Sequence, residues 1–237
     1  VSVMAINAGP DIIEDDLLIC LDAANVRSYP GAGDDWNDVS TASLVGELEN
    51  GPTFSTINGG CIVLDGTNDR IKFAADTVQP AFPFTLNAWV MFNEADQLDP
   101  IWRSAYASSY YGGFWVTKLT DNTIQMNTGV WNSASDSNRR FKTGTTTIAV
   151  DTWYNVCAVF TNLTTSTLYI NGVDDGGTDG GTGNEIDYNS GKVNYIGRFP
   201  STTYANIKVA QLAVYSKALV ASEVKQNYLA TKGRYQL

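Results

Sequence analysis

Histidine is wholly absent from this sequence of 237 residues, and cysteine is rare, with three copies. Without histidine, the chain has neither a Ser-His-Asp nor a Cys-His catalytic arrangement, and no imidazole to bind a metal ion. A glycine-rich phosphate loop and a Cys-x-x-Cys pair are missing as well. We therefore expect no enzymatic activity, no catalytic residues and no cofactor apart from a calcium ion considered below.

The three cysteines do not have the pattern of a disulfide framework. Cys20 in "LLICLD", Cys61 in "GCIVLDG" and Cys157 in "YNVCAVF" each lie inside an apolar run. An odd number of cysteines at such positions indicates buried free thiols, which fill the core as small hydrophobic side chains. This pattern agrees with synthesis in a reducing cytoplasm.

Positive charge is also scarce. The chain has 15 Lys and Arg against 25 Asp and Glu, which gives a net charge of −10. A nucleic-acid partner is disfavoured, because binding to phosphates needs a basic patch. The nearest basic stretch is "SNRRFKTG" with Arg139, Arg140 and Lys142, which we interpret as a solvated loop. No apolar run approaches the ~20 residues of a membrane span, so we expect no membrane insertion, and residues 1–16 have no features of a secretion signal.

The sequence does contain many short segments rich in Val, Ile, Thr, Tyr and Phe, separated by Gly, Asn and Asp. These segments are "LLICLDA", "CIVLDG", "RIKFA", "FTLNAWVMF", "GFWVTKL", "TIQMNTGVW", "WYNVCAVF", "STLYINGV", "KVNYIGR" and "IKVAQLAVY". About ten strands without intervening helices predict an antiparallel β-sandwich and exclude a parallel βαβ fold. Asn171 and Gly172 can supply the two positive φ angles of a type I′ turn, so a tight hairpin is expected there.

The composition, with 43% hydrophobic and 17% charged residues, is typical of a folded domain with a large core. We assign residues 1–16 to an N-terminal extension and residues 17–237 to a single domain. The domain ends in a helix over about 219–231, where apolar residues recur at helical spacing and Gly233 is placed to terminate it. Residues 25–60, rich in glycine, are expected to form an ordered excursion packed on the edge of the sandwich.

Several motifs follow one another in a recognisable order. They are "LLICLDAANVRSYPGAGDDWNDVS", "NGPTFSTINGGCIVLDGTNDRIKF", "FTLNAWV", "DTWYNVCAVF", "YIGR" and "VAQLAVYSKALVASEVKQNY". From about Leu17 to Tyr235, this order resembles the concanavalin-A-like, laminin-G-like jelly-roll family. The opening "LDAAN" and the ending "KGRY" are similar to the version found in structural proteins of tailed bacteriophages. The resemblance implies an all-β fold in which two curved antiparallel sheets stack as a jelly roll, with a short helix after the last strand.

The resemblance also implies a candidate metal site. Related modules often hold a structural calcium ion, which binds carboxylate and carbonyl oxygens. Asp65, Asn68 and Asp69 match the first half of that site. Where the second half would fall, this chain has Ala210 and Gln211. An Asx-type turn without a metal is therefore the alternative for these three residues.

Two further acidic stretches are interpreted as loops. Glucanases on this fold use alternating carboxylates on one strand, as nucleophile and acid. In "GNEIDYNSG", Glu185 and Asp187 alternate, but the second glutamate of the E-x-D-x-(x)-E pattern is missing. "VDDGGTDGGTG", with Asp174, Asp175 and Asp179, is glycine-rich and expected to be exposed to solvent.

Aromatic residues are the remaining candidates for a binding site. "WRSAYASSYYGGFWV" places Tyr106, Tyr110 and Tyr111 near serines and glycines, and Trp131 in "GVWNSASDSN" adjoins a polar stretch. An exposed aromatic ring can stack on a sugar or anchor a protein partner, so Tyr110, Tyr111 and Trp131 are candidate carbohydrate or partner contacts. Burial of these rings in the core is the alternative.

Together these features favour a structural protein of a phage virion over an enzyme. We expect a capsid decoration or surface-display protein, made in the host cytoplasm and located on the virion surface, that stabilises the particle or gives weak attachment to the host. The alternative is a carbohydrate-binding lectin module of a tail or neck fibre that acts in host adsorption. The expected partners are other virion proteins and host-surface glycans, and the sequence leaves the oligomeric state open, a homo-oligomer included.

Overall fold

The computed structural model describes residues 10–105, 110–132, 135–199 and 202–237. Within these ranges the chain forms short strands, one α-helix and three single turns of 3₁₀-helix. The strands are β1 Leu17–Asp22, β2 Asp35–Asn37, β3 Val45–Glu49, β4 Thr53–Ser55, β5 Cys61–Asp65, β6 Arg70–Phe73, β7 Phe84–Phe92, β8 Asp99–Arg103, β9 Gly113–Lys118, β10 Ile124–Gly129, β11 Arg139–Thr143, β12 Trp153–Asn162, β13 Thr165–Ile170, β14 Val173–Asp174, β15 Thr178–Gly180, β16 Asn194–Ile196 and β17 Asn206–Tyr215. The helix is α1 Ala221–Thr231, and the 3₁₀ turns are Ile57–Gly59, Asp136–Asn138 and Lys232–Tyr235.

The strands form two antiparallel sheets. The eight-stranded sheet has the order β14-β13-β12-β7-β17-β5-β4, with β1 also paired to β17. The nine-stranded sheet has the order β15-β11-β10-β9-β8-β16-β6-β3-β2. Strands that follow one another in the chain often lie in different sheets: β5 and β6, for example, are joined across the sandwich by the turn at Asp65. The predicted all-β, two-sheet jelly roll with a short C-terminal helix is confirmed.

One large core lies between the sheets, and alternation along the strands builds it. In β7, Phe84, Leu86, Ala88 and Val90 belong to this core, whereas the residues that alternate with them, such as Trp89, face outward. Phe84 stacks on Phe160 of β12 with ring centroids 4.5 Å apart and also contacts Phe114 of β9 at 4.9 Å. Each such buried side chain contributes roughly 1.5–3 kcal/mol to folding.

The outward face of the eight-stranded sheet is covered by the C-terminal segment. Trp89 of β7 is fully buried under this segment. Its Nε1 donates to Thr231 Oγ1 at 2.7 Å, and its ring stacks on Tyr235 with the centroids 3.9 Å apart. Trp153 of β12 lies against the same Tyr235 ring at 4.9 Å. Helix α1 and the 3₁₀ turn after it therefore form a third layer, which explains why β7 and β12 are buried on both faces.

Helix α1 begins at Ala221, later than the predicted start at about 219. Val220 has an extended backbone, and the Glu223 carboxylate accepts a hydrogen bond from Val220 N at 2.9 Å, which satisfies a free N–H at the helix start. Gly233 does not terminate the helix as predicted, since it lies inside the 3₁₀ turn that carries the chain on to Tyr235. No helix in the described part of the chain is long and apolar enough to cross a membrane.

The glycine-rich region 25–60 is more than an excursion on the sandwich edge. It supplies β2 and β3 to the nine-stranded sheet and β4 to the eight-stranded sheet. Trp36 of β2 is fully buried in the core and Leu48 of β3 nearly so. The region is ordered and lies at the edge of the sandwich, as predicted, since β2 and β4 are edge strands. Its strands were not predicted, because β2 and β4 have three residues each, too few to show a period in the sequence.

The described part of the predicted N-terminal extension, residues 10–16, packs on the C-terminal helix. Ile13 N donates to Asn227 Oδ1 at 2.7 Å, and Gln226 Nε2 donates to Asp11 O at 2.8 Å. Residues 1–9 lie outside the described ranges.

All three cysteines are free thiols. Cys61 and Cys157 are fully buried, as predicted, whereas Cys20 on the outward face of β1 is only half-buried, which corrects the expectation for that residue. Burial and the neighbouring carboxylates Asp22 and Asp38 raise the pKa of Cys20 to about 12. Its thiol is therefore protonated at neutral pH despite its partial exposure.

The acidic loop after β13 is not fully exposed as expected. Asp175 is only 8% exposed, and its carboxylate accepts hydrogen bonds from Thr145 N at 2.9 Å and Thr146 N at 3.1 Å. The Thr146 hydroxyl also donates to it. Asp174 and Asp179 are exposed, as predicted. Asp175 thus fastens the segment before β12 to the β14–β15 loop, a role that the sequence pattern did not indicate.

Candidate functional site

Two of the predicted aromatic contacts meet at the surface. Tyr110 precedes β9 and Trp131 follows β10, and the antiparallel pairing of Gly113 with Gly129 brings these two ends together. The rings of Tyr110 and Trp131 stack with their centroids 5.0 Å apart and their planes inclined by 21°. Tyr110 is 39% exposed and Trp131 is half-buried. We call these two residues the aromatic pair.

The backbone beside the aromatic pair is held by a buried arginine. Arg103, fully buried at the end of β8, donates from Nη2 to Tyr110 O at 2.9 Å and from Nη1 to Ser104 O at 2.7 Å and to Gly112 O. Gly112 also permits close packing, because a Cβ added there would lie 2.7 Å from Trp131 Cε3. Buried contacts therefore hold the backbone that carries the exposed Tyr110 ring.

Tyr111 faces a different part of the molecule. Its ring stacks on Trp115 of β9 at 5.3 Å, and the Arg139 guanidinium lies 4.8 Å from its centroid. Arg139 also donates to Asn127 Oδ1 at 3.2 Å, so these residues close the outward face of the nine-stranded sheet. The structure thus separates Tyr111 from the aromatic pair. It also corrects the interpretation of "SNRRFKTG", which forms β11 with half-buried basic residues rather than a solvated loop.

A lysine that the sequence did not single out lies at the aromatic pair. Lys192 Nζ is 4.7 Å from the centroid of Trp131, within the range of a cation–π contact. The loop that carries Lys192 is fastened by Asp76, whose carboxylate accepts from Gly191 N at 2.8 Å and whose N–H donates to Lys192 O at 3.0 Å. The site therefore combines an exposed aromatic ring with a positive charge.

The predicted calcium residues form a turn between the two sheets. The Asp65 carboxylate accepts from Thr67 N at 2.8 Å, and this backbone hydrogen bond lowers the pKa of Asp65. Asp69 is buried and accepts from Asp65 N at 3.2 Å, while burial raises its pKa. Asn68 is exposed and contributes its backbone carbonyl to Asn50 Nδ2 at 3.0 Å.

These contacts explain the turn without an ion, because carboxylate oxygens already accept from backbone amides. Within the described residues, no three or more Cys, Asp or Glu side chains are grouped as metal ligands would be. Calcium at Asp65, Asn68 and Asp69 stays a prediction, and equal melting temperatures in calcium and in a chelator would count against it.

A polar cleft beside this turn contains a buried ion pair. Asp99 and Lys118 are each 1% exposed, with Asp99 Oδ2 3.1 Å from Lys118 Nζ. Lys118 Nζ also donates to Gln97 O at 2.7 Å, and Asp99 Oδ1 accepts from Asn206 N at 3.1 Å. Burial raises the pKa of Asp99, although the lysine beside it acts in the opposite direction. Lys118 is thus the direct counter-ion of Asp99, which lines the cleft.

Glu185 and Asp187 lie in an irregular segment, as predicted, and not on a strand. Both are exposed, and the Asp187 carboxylate accepts from Asn189 N at 2.9 Å. The Asp187 backbone carbonyl accepts from Gly113 N at 2.7 Å, which places this segment at the start of β9. The two carboxylates therefore lack the strand that would aim them at one glycosidic bond.

Sequence reasoning missed Arg103 and Lys192. Arg103 ends the apolar segment "IWR", and Lys192 begins the strand-like segment "KVNYIGR". Nothing in either segment marks a contact with Tyr110 or Trp131, because both contacts depend on how β8, β9 and β16 lie in one sheet. Tyr106, in the same stretch as Tyr110, lies outside the described residues.

Comparison with known proteins agrees with the two-sheet architecture. The family model of the concanavalin A-like lectin/glucanases superfamily matches residues 65–225. Trypanosoma rangeli sialidase superposes with a TM-score of 0.68 at 15% identity, over 98% of this chain and 36% of that chain. No match is found among curated protein sequences.

Two toxin binding domains are also similar in structure. The binding domain of Paraclostridial Mosquitocidal Protein 1 superposes with a TM-score of 0.67 at 14% identity, over 91% of this chain and 52% of that chain. The binding domain of botulinum neurotoxin DC, in complex with rat synaptotagmin II, gives a TM-score of 0.68 at 12% identity with the same coverage. At such identities the superpositions show a shared fold alone, and this chain spans 36% to 52% of the length of these structures. Because the family model covers more than half of the chain, the protein belongs to the concanavalin A-like lectin/glucanase superfamily.

Proposed function

We propose that this protein is a non-catalytic recognition module that binds saccharides at the aromatic pair. The observation that carries the proposal is the exposed ring of Tyr110, 39% accessible while stacked on Trp131. A sugar ring presents C–H groups that pack on an aromatic face, and a polar surrounding supplies partners for its hydroxyls. This family includes lectins by description, which agrees with the proposal without establishing it.

The support of the Tyr110 ring favours this role. Stacking on Trp131 and the hydrogen bond from Arg103 to Tyr110 O at 2.9 Å limit the motion of the ring before any ligand arrives. A side chain that is already ordered loses less conformational entropy on binding. The site is a surface platform rather than a deep pocket, so we expect weak affinity for a single saccharide.

The absence of catalysis is part of the proposal. Glu185 and Asp187, which alternate in a hydrolase-like pattern, lie in an irregular exposed segment. Similarity to a sialidase is confined to the fold at 15% identity. Hydrolysis of β-glucans that disappears with Glu185→Gln would overturn this part of the proposal.

Binding to an array of oligosaccharides tests the main proposal. We expect Tyr110→Ala to weaken binding about tenfold, as expected when an aromatic contact is removed, and Tyr110→Phe to retain most of it. Tyr169→Ala is the control, because Tyr169 is half-buried on β13 of the other sheet. All variants are first compared by thermal melting. No binding to any oligosaccharide at high protein concentration, or equal binding by Tyr110→Ala and wild type, contradicts the proposal.

We further propose a setting for this activity, the surface of a tailed-phage virion. Support comes from the resemblance of the opening "LDAAN" and the ending "KGRY" to phage structural proteins. There the protein would contact other virion proteins, as a decoration that stabilises the particle or as a module of a tail or neck fibre. Immunogold imaging of virions with an antibody to this chain tests the setting. Label on the capsid favours decoration, label on the tail or neck favours the fibre module, and unlabelled virions exclude both.

A further inference from the structure

Lys192 places a positive charge beside the aromatic pair. Its ammonium and the exposed Tyr110 ring both lie within 5.0 Å of the Trp131 ring centroid. No carboxylate of the described residues lies within 4.0 Å of Lys192 Nζ, and the residues outside those ranges include no Asp or Glu. The lysine therefore brings a positive charge that no side chain of this protein neutralises by a direct ion pair.

The carboxylates next to Lys192 in the fold are engaged elsewhere. Asp76 accepts hydrogen bonds from Gly191 N at 2.8 Å and Ser190 Oγ at 3.3 Å. Asp187 accepts from Asn189 N at 2.9 Å. These carboxylates therefore accept hydrogen bonds that hold the loop in place, and neither forms a direct ion pair with the lysine.

Four of the seven other lysines of the chain differ in this respect. Lys72, Lys118, Lys142 and Lys217 each form a salt bridge with a carboxylate. Lys225 also lies over an aromatic ring, 4.9 Å from the centroid of Tyr228, but Tyr228 is only 9% exposed and offers no surface to a ligand. In a chain of net charge −10, an unneutralised cation beside an exposed aromatic ring is a local feature that attracts an anion.

We propose that the aromatic pair selects acidic saccharides, with a sugar ring packed on Tyr110 and a sugar carboxylate paired with Lys192. This inference rests on the proposed function and adds the substrate class to it. At physiological ionic strength, screening over about 8 Å weakens the effect of the more distant carboxylates on Lys192. The ion pair then forms at the site while the net charge of the protein opposes it only weakly.

The test compares a short oligogalacturonate with the same oligomer after methyl esterification of its carboxylates. Binding of each to the whole chain is measured by titration calorimetry at physiological salt. We expect the acid to bind about fivefold more tightly than the ester, as for an exposed charge-assisted contact. Lys192→Gln should remove this preference, so that it binds the acid no more tightly than the ester, and Lys225→Gln should leave the preference of the wild type unchanged.

The outcomes separate this inference from the proposed function. If the ester binds as tightly as the acid, and Lys192→Gln alters neither, the acidic preference is wrong while saccharide binding stands. If neither oligomer binds but neutral sugars on the array do, the acidic preference is again wrong. If no saccharide binds at all, both proposals fail together. Lys192→Arg, which keeps the charge, should retain the preference, and its loss in that variant would contradict a charge-based mechanism.

Discussion

Arg234 and Asp22 are 212 positions apart in the chain, yet Arg234 Nη1 lies 2.9 and 3.0 Å from the two carboxylate oxygens of Asp22. Asp22 also accepts from Gln211 Nε2 at 2.7 Å, and Arg234 Nε donates to Asn58 O at 3.2 Å. Asp22 belongs to "LDAAN" and Arg234 to "KGRY", the two motifs that carry the phage resemblance. Their side chains join β1 to the C-terminal segment, so both motifs have a structural role.

Removal of this ion pair should destabilise the protein. Both side chains are about three-quarters buried, with exposed fractions of 24% and 22%, so screening by solvent is reduced. We expect Arg234→Ala to lower the free energy of unfolding by about 1.5–3 kcal/mol, the range for hydrogen bonds to charged groups. Urea unfolding measures the change. Arg27→Ala, at an exposed arginine of the same region, is the control and should have an effect below about 0.5 kcal/mol; equal effects of the two would contradict a role for the pair.

Asp175 should be needed for stability, whereas its neighbour Asp174 should not. Asp175→Ala removes the charged acceptor of Thr145 N, Thr146 N and the Thr146 hydroxyl, and a hydrogen bond to a charged group contributes about 1.5–3 kcal/mol. We expect a total loss near 3 kcal/mol in chemical unfolding. Asp174 is exposed and accepts only from Gly176 N, so Asp174→Ala is expected to cost about 0.5 kcal/mol or less. A similar cost for both substitutions would be inconsistent with the buried anchor.

The Asp99–Lys118 pair predicts strong coupling between two substitutions. Lys118→Met leaves the Asp99 carboxylate buried without its counter-ion and should cost about 3–5 kcal/mol. Asp99→Asn combined with Lys118→Met removes both charges, so the double variant should be less destabilised than the sum of the single variants. A double-mutant cycle of unfolding free energies measures the coupling. Strict additivity would falsify the buried ion pair.

Glu49 should contribute stability that depends on pH. Burial raises its pKa, but the hydrogen bonds from Lys72 and Arg70, at 2.9 and 2.6 Å, outweigh burial and leave the pKa below its ordinary value. A carboxyl whose pKa is lower in the folded state stabilises the fold above its unfolded-state pKa of about 4.3, and this contribution is lost as the pH falls through the folded-state pKa.

Melting temperatures of wild type and Glu49→Gln test this expectation. The variant should be less stable at neutral pH, and the difference should shrink as the pH falls below about 4.3. Glu47→Gln is the matched control on the same strand, because Glu47 is 59% exposed and 3.7 Å from Lys72 Nζ. A difference between wild type and Glu49→Gln that stays constant with pH would show that the ionised carboxylate is not the cause.

The sequence predicted those parts of the structure that depend on local patterns. The segment "FTLNAWVMF" was predicted as a strand and forms β7. The positive φ angles of Asn171 and Gly172, 53° and 71°, form the predicted hairpin turn. Strands of three residues, such as β2 and β4, escaped prediction because no period is visible over so short a length.

The candidate site, too, was predicted from the sequence only in part. The glycines and serines around Tyr110 indicated exposure, and the ring is indeed exposed. The same reasoning treated Tyr111 as equivalent, yet consecutive residues of an extended chain point to opposite sides. Tyr111 therefore packs on Trp115 under Arg139, while Tyr110 meets Trp131.

By itself, the sequence determined the all-β class, the antiparallel two-sheet sandwich, the C-terminal helix and the free thiols, because hydrophobic periodicity and turn residues act over a few neighbouring positions. Tertiary structure alone decided which distant side chains meet. The register of β9 and β10 brings Tyr110 to Trp131, and the loop held by Asp76 adds Lys192. Such contacts depend on strand order and register, which local sequence does not encode, and they give this fold its candidate binding site.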